Sequence, residues 1–489
     1  MKIKQYLEKI LAYKKLFFIL GILITSSAFA QESCKCDVAL SKLITKIESD
    51  YPGFSEKTKD KILYGSLKMQ LAEEARNTEP SSCLTVLKKY TSFFRDGHIW
   101  INPATSINSK GTSSTEFIDV DIDKFLKKSK STKNPLEGIW KNRFEWTGGV
   151  VYEIGITKKS NNEYIGFVIK SNSDFWKPKE VKFKLFPDGK YEFYSFDKTK
   201  KTGSYTVHEN QIIYFKEARS SFINEKPISG LSEPQLQKKV GEFNGFSIKQ
   251  LSAKTTLITL PSFDYPFVEI INNMMEDNLD LLNNSENLIV DIRGNSGGTD
   301  NAYQKLLPYI MTNSIRTMGV EYLATQTLID GLESYIKTVK DNKEKESEII
   351  MVRGWITKFE KNLGKFVNVS DNPAAIQDIN LAPKAPQNVV IMIDKRVGSS
   401  AENFVMKAKQ SKKVKVMGTV TSGGLDYAAA RFFDFDCHEY LLQLPTFRSL
   451  RLPDFPVDNI GLQPDIFMDR FIADWMKYAV DYLENQKGN

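Results

Sequence analysis

The sequence predicts a mixed chain: a helical N-terminal region, an all-β insert, and an α/β core with a layered, mainly parallel sheet. Three observations carry this reading. Apolar residues recur at three- and four-residue spacing from Asp37 to about Tyr90, short alternating runs separated by turn residues follow from 138 to 215, and apolar strands then alternate with helices from about 243 onward. A length of 489 residues suits about three domains of roughly 150 residues.

The first 30 residues stand apart. Five lysines against Glu8 precede an apolar run, Leu16 to Ile24, and the small-residue site Ala28-Phe29-Ala30. That order is the pattern of a cleaved secretory signal peptide, residues 1–30. It holds four of the seven net positive charges, so the mature chain is close to neutral and offers no case for nucleic acid. The uncharged stretch Leu16 to Ala30 falls short of about 20 residues. No other window is apolar enough to span a bilayer. The product is therefore expected outside the cytoplasm, periplasmic or secreted, with no stable membrane span once the signal is removed.

Export directs the cysteines toward disulfides. Cys34, Cys36 and Cys83 lie near the mature N-terminus and Cys437 far away. The expected bridge joins Cys83 to Cys34 or Cys36, with Cys36–Cys83 the candidate pair. No metal or other cofactor is expected, since His98, His208 and His438 are the only histidines and none neighbours the first three cysteines.

The helical domain, 31–110, is broken by Pro52-Gly53 and Pro80 and ends in Asp96-Gly97-His98-Ile99, a turn before a short apolar stretch. Residues 103–134 read as a Ser/Thr/Asn/Lys-rich linker. The insert, 135–220, contains six runs: Val150–Ile156, Tyr164–Ile169, Val181–Phe186, Tyr191–Phe196, Tyr205–Val207 and Ile212–Phe215. Hairpin turns such as Asn161-Asn162 and Pro187-Asp188-Gly189 join them, which suits a small up-and-down barrel or a sandwich. In the core, 243–480, strands at Leu257–Leu260, Leu288–Ile292, Val389–Ile393 and Val414–Met417 alternate with helices. Residues 322–367 interrupt that order with two helices joined by a charged tip, a helical arm that could cover a site.

Three clusters could carry chemistry. Asp291-Ile-Arg-Gly-Asn-Ser-Gly-Gly298 follows an apolar strand and aims backbone N–H groups into a crevice, or simply makes a tight turn. Val397-Gly-Ser-Ser-Ala-Glu402 joins a strand to a helix. There Ser399 and Glu402 form a capping box, which leaves Ser400 at the first helical position, where the helix end favours a developing negative charge. A serine nucleophile needs a base, and His98 is the one histidine suitably sited.

In order along the chain, Leu257-Ile-Thr-Leu-Pro-Ser-Phe263, Leu288 to Gly298, Ser400-Ala-Glu402, Gly418-Thr-Val-Thr421 and Gly461-Leu-Gln-Pro-Asp465 resemble the serine peptidases that include the carboxy-terminal processing (tail-specific) proteases and the tricorn core. The resemblance implies a ClpP/crotonase-like core; the all-β insert, read from its own strands as a lipocalin-like barrel, occupies the place of the peptide-binding PDZ module usual in the processing branch. The resemblance also implies Ser400 as nucleophile, with Gly297 and Ala401 N–H groups as the oxyanion hole. The processing branch takes its base from a lysine three residues after Thr421, where this chain has Gly424. The tricorn-like branch uses a histidine after the N-terminal helices, which His98 matches. It places a serine before that histidine, here Gly97, and a Glu orienter where this chain has Asp458. The expectation is an exported serine peptidase, endo- or carboxy-terminal processing, acting on peptides or proteins through an acyl-enzyme on Ser400, with His98 as base and Asp458 orienting it. The alternatives are a binding protein for apolar ligands or peptides on a fold like that of interphotoreceptor retinoid-binding protein, and an esterase.

Overall fold

The computed structural model describes residues 34–103, 115–143, 151–160, 163–172, 176–195, 198–225, 230–370, 372–433, 435–437 and 440–485. The segment 1–30 expected to be a signal peptide, the expected turn at Asn161-Asn162, His438 and part of the expected linker lie outside them.

The core is a six-stranded sheet in the order Ser247–Gln250, Thr255–Thr259, Asn287–Asp291, Asn388–Ile393, Val414–Gly418, Ile466–Phe467. Only the first strand runs antiparallel to its neighbour. The central strands, Asn-Leu-Ile-Val-Asp and Asn-Val-Val-Ile-Met-Ile, are almost wholly buried, as parallel strands covered on both faces must be. One face packs the helices Val268–Glu276 and Ser400–Ala408 through Ile271, Phe404 and Val405. The other face packs the C-terminal helix Trp475–Glu484 through Ala479 and Leu483. Such a sheet concentrates loops at the carboxyl ends of its strands, where ligands bind. Both chemistry-bearing turns, 292–298 and 394–399, lie there.

The insert is a closed barrel of eight strands from Gly138–Asn142 to Ser220–Asn224. The six-run expectation lacked the first and last strands. These two pair with each other, Trp140 opposite Asn224, and close the ring. Both are short and partly polar, and their pairing spans the whole insert, so local pattern does not reveal them. The core of the insert is packed with Trp140, Phe183, Phe193, Phe215 and Phe222.

The helical arm consists of Gln326–Val339 and Glu346–Glu360, packed on each other through Leu332, Ile336, Val352 and Ile356. The N-terminal helices Cys36–Asp50, Lys61–Arg76 and Cys83–Ser92 share one hydrophobic cluster with Phe433, Leu442 and Leu444 from near the other end of the chain. Two devices join these distant segments. The strand Trp100–Pro103 pairs antiparallel with Tyr440–Leu444. Cys34 is bridged to Cys437 across 403 positions, and Cys36 to Cys83 across 47. The second bridge is one of the two expected for Cys83; the first was not expected.

Both bridges restrict the unfolded chain, and removing one costs about 2–4 kcal/mol. Reduction of the wild-type protein is therefore expected to lower its unfolding midpoint. A Cys34→Ala/Cys437→Ala variant should start lower and respond less to reductant in the same thermal melt.

Candidate active site

The site begins with the strand Asn388–Ile393 and the turn that ends it. Asp394 Oδ1 accepts the N–H groups of Gly294 (2.9 Å) and Arg396 (3.0 Å), tying this turn to the glycine turn of the neighbouring strand. Val397 N–H returns to Asp394 C=O, and Gly398 N–H donates to Asn295 C=O. The chain then reverses at Ser399, with φ 52° and ψ −124°, before the helix Ser400–Ala408 begins. A positive φ is costly for a residue with a Cβ and persists only where the surroundings hold it. The same strand–sharp turn–helix arrangement presents a serine hydroxyl clear of the backbone in nucleophile elbows.

Glu402 holds the turn. It is fully buried; its Oε2 accepts Ser399 N–H (3.1 Å) and Gly424 N–H (2.9 Å), and its Oε1 accepts Thr421 Oγ–H (2.5 Å) and Gly423 N–H (2.8 Å). The capping carboxylate thus fastens the elbow to the loop 419–424.

His98 arrives from 301 positions away, with Nε2 3.4 Å from Ser399 Oγ. That separation is long for a hydrogen bond but ordinary for a catalytic pair without substrate. Ser400, the serine expected to be the nucleophile, is not brought to His98. Its Oγ is buried with no partner among the described residues. As the first helical residue it directs its side chain back against its own turn, whereas Ser399 stands outside the helix.

The expected oxyanion donors differ as well. Ala401 N–H is already spent on Gly398 C=O (3.0 Å), and Gly297 N–H on Asn295 Oδ1 (2.9 Å). Neither Ser400 N–H nor Gly298 N–H, both beside the elbow, has a partner among the described residues. Gly297 C=O accepts from Phe263 N–H, on the side of the Thr255–Thr259 strand. In a trans peptide the N–H points opposite to the C=O, so Gly298 N–H faces the other neighbour, the strand that leads to Ser399. Gly297 must be glycine here: its φ is 102°, and a Cβ would fall 2.9 Å from both Ser399 Cβ and Ser400 N.

The carboxylate on His98 also departs from expectation. Asp458 Oδ1 is held by the N–H groups of Leu425 (3.0 Å) and Asp426 (2.8 Å), and its Oδ2 pairs with Lys57 at 3.4 Å. It acts on His98 through charge alone. Asp96 instead sits against the ring, with Oδ1 3.6 Å from His98 Nδ1 while accepting His98 N–H at 2.8 Å. Sequence reading passed over Asp96 as a turn residue before Gly97. A carboxylate two residues before a candidate base, able to fold back on it as an Asx-turn, was the available signal.

Burial alone lowers the His98 pKa, but Asp96 against the ring, with the charges of Asp458 and Glu402 behind it, brings it above the ordinary value. Burial first, then the charge of Asp96, push the Asp458 carboxyl up to about 6, opposed by Lys57. Gly424, where the processing branch carries its lysine, lies beside the imidazole: a Cβ there would be 4.0 Å from His98 Cε1. Gly97 has open space around its Cα, so the serine found there in the tricorn-like branch is missing without steric cause. His208 lies far off in sequence on the barrel strand Lys200–His208, beside Glu209. Among the described residues no cluster of His, Cys, Asp or Glu could hold a metal ion.

The elbow, the glycine turn and the loop 419–424 all fall within one segment that matches a known family. Residues 254–468 match the model of peptidase family S41. His98, Asp96 and the barrel lie outside the matched segment. Among solved structures the chain is similar to mature CPAF, at 12% identity over 93% of this chain and 98% of that one, with a TM-score of 0.48. It is also similar to the photosystem II D1 C-terminal processing protease, at 10% identity over 90% of this chain and 95% of that one (TM-score 0.35). The tricorn protease matches at 13% identity over 92% of this chain and 36% of its own length (TM-score 0.37). No curated protein sequence matches.

Proposed function

We propose that this protein is an exported serine peptidase in which Ser399, rather than Ser400, forms the acyl-enzyme and His98 is the base. The observation that carries the reading is the approach of His98 Nε2 to Ser399 Oγ at a strained strand-to-helix turn. Ser399 Oγ attacks the scissile carbonyl carbon while its proton passes to His98 Nε2. The carbonyl oxygen, now negative, takes hydrogen bonds from Ser400 N–H and Gly298 N–H, with the helix N-terminus adding its positive end. Collapse breaks the C–N bond, and His98 returns the proton to the leaving amine. Water, deprotonated by His98, then attacks the ester carbon and frees Ser399.

Asp96 orients the imidazole and stabilises its charged form, the part played by the buried carboxylate of a serine triad. Asp458 contributes only field. Asp96→Asn is therefore expected to lower kcat by about 10²–10⁴, and Asp458→Asn by far less. Steady-state hydrolysis of a fluorogenic peptide checks the pair; equal losses would return Asp458 to the orienting role.

Two disulfides, together with the basic, apolar and Ala-x-Ala segments at the N-terminus, support export. No helix among the described residues is long and apolar enough to cross a membrane. The barrel is packed by its own aromatic side chains, which favours hydrolysis over carriage of an apolar ligand within it. The function is tested by degradation of an unfolded protein substrate: cleavage that stops on treatment with a fluorophosphonate supports it, and undiminished cleavage removes the serine mechanism.

A further inference from the structure

We propose that Tyr51 is a positioning residue of this site, holding Asp96 in the rotamer that faces His98. The inference rests on the Ser399–His98 reading above and extends it by one link that no sequence motif marks.

Tyr51 Oη–H donates to Asp96 Oδ2 at 2.9 Å, the oxygen that His98 does not use. Asp96 Oδ1 meanwhile accepts His98 N–H and faces Nδ1. One carboxylate thus holds the Tyr51 hydroxyl and the His98 backbone N–H, with its Oδ1 3.6 Å from the imidazole Nδ1. Tyr51 is 1% exposed and Asp96 6%, so this hydrogen bond has little competition from water and a buried charge depends on it. Burial and the adjacent Asp96 raise the phenol pKa well above its ordinary value, so Tyr51 remains a donor at every pH at which His98 titrates.

The phenol itself is fixed. Tyr51 follows directly on the helix Cys36–Asp50, its N–H returning to Ile47 C=O. Its ring packs edge-on against Phe94 and tilted against Tyr427, each at 5.5 Å. Gly53 is required by the same contact, because a Cβ there would collide with the Tyr51 hydroxyl. The helix is pinned at its start by Cys36–Cys83. A core-packing role alone would be met by phenylalanine; the hydroxyl has the single partner Asp96.

The other charged and titratable groups around this pair are Asp458 and Glu402 from the core, Lys57 from the turn after Tyr51, and Tyr427. None of them changes in a Tyr51→Phe variant. Loss of the hydroxyl concentrates negative charge on the oxygen facing His98 and releases the carboxylate to rotate. The first effect raises the His98 pKa, and the second lowers the rate.

The test uses the full mature protein and measures fluorophosphonate labelling and peptide hydrolysis across pH, beside a thermal melt. Tyr51→Phe should lower kcat/KM about tenfold with KM little changed, and move the acid limb upward by about half a pH unit. Gly53→Ala, which pushes the hydroxyl off Asp96 while keeping it present, should lower the rate in the same direction. A folded Tyr51→Phe protein with unchanged rate and limb would overturn the positioning role. Wild-type protein that is neither labelled nor active would instead overturn the underlying serine mechanism.

Discussion

Replacing Ser399 by alanine is expected to lower kcat/KM for peptide hydrolysis by about 10³–10⁶ and leave the fold intact. The hydroxyl approaches His98 at 3.4 Å and takes part in the capping box of the following helix, so its removal costs the chemistry and about 1 kcal/mol of cap. The turn itself is held by backbone donors to Glu402 and Asn295, which alanine leaves in place. Ser400→Ala is the companion variant. It keeps the backbone N–H offered to the oxyanion and removes only a buried hydroxyl without a partner, so activity should stay within about tenfold of wild type. A steady-state comparison of the two variants, with circular dichroism to establish folding, separates the adjacent serines.

His98→Ala should cost a similar factor, about 10³–10⁶ in kcat/KM, because nucleophile and base act as a unit. Its pH signature can be stated with sign. Protonated His98 cannot accept the Ser399 proton, so kcat/KM falls as pH drops through its pKa. That pKa is raised above the ordinary imidazole value, so the acid limb should lie above about 6.5. Asp96→Asn removes the charge responsible and should move the limb down, opposite to the shift expected of Tyr51→Phe. A wild-type limb well below the ordinary value would show that the Asp96 contact is not made in solution.

The layered core was legible because its two central strands are rich in Val, Ile and Leu and each leads into a turn containing Gly and Ser. The resemblance to the peptidase family was legible for the same reason: the motifs that carry it sit at the ends of those strands. What escaped depends on distance or on fine backbone geometry. The bridge Cys34–Cys437 and the pairing of Trp100–Pro103 with Tyr440–Leu444 join the two ends of the chain, and nothing local encodes a partner so remote. The choice between two adjacent serines turned on one dihedral angle. The capping-box reading holds: Ser399 stands outside the helix, its hydroxyl accepts from the Glu402 N–H, and the Glu402 carboxylate accepts from the Ser399 N–H. The hydroxyl faces His98. Asp458 was expected to orient the base by analogy with a longer glutamate. Two backbone N–H groups and Lys57 engage its shorter carboxylate instead, and the carboxylate beside His98 Nδ1 is that of Asp96.

The central claim is that Ser399 is the nucleophile, and mapping the covalent adduct tests it most directly. Trypsin cleavage after Arg396 and Lys407 isolates both serines in one peptide, Val397 to Lys407. After reaction with a fluorophosphonate, fragment ions of that peptide should put the adduct on Ser399, and the His98→Ala protein should yield almost none. An adduct on Ser400, or an active enzyme carrying no adduct on this peptide, would contradict the account.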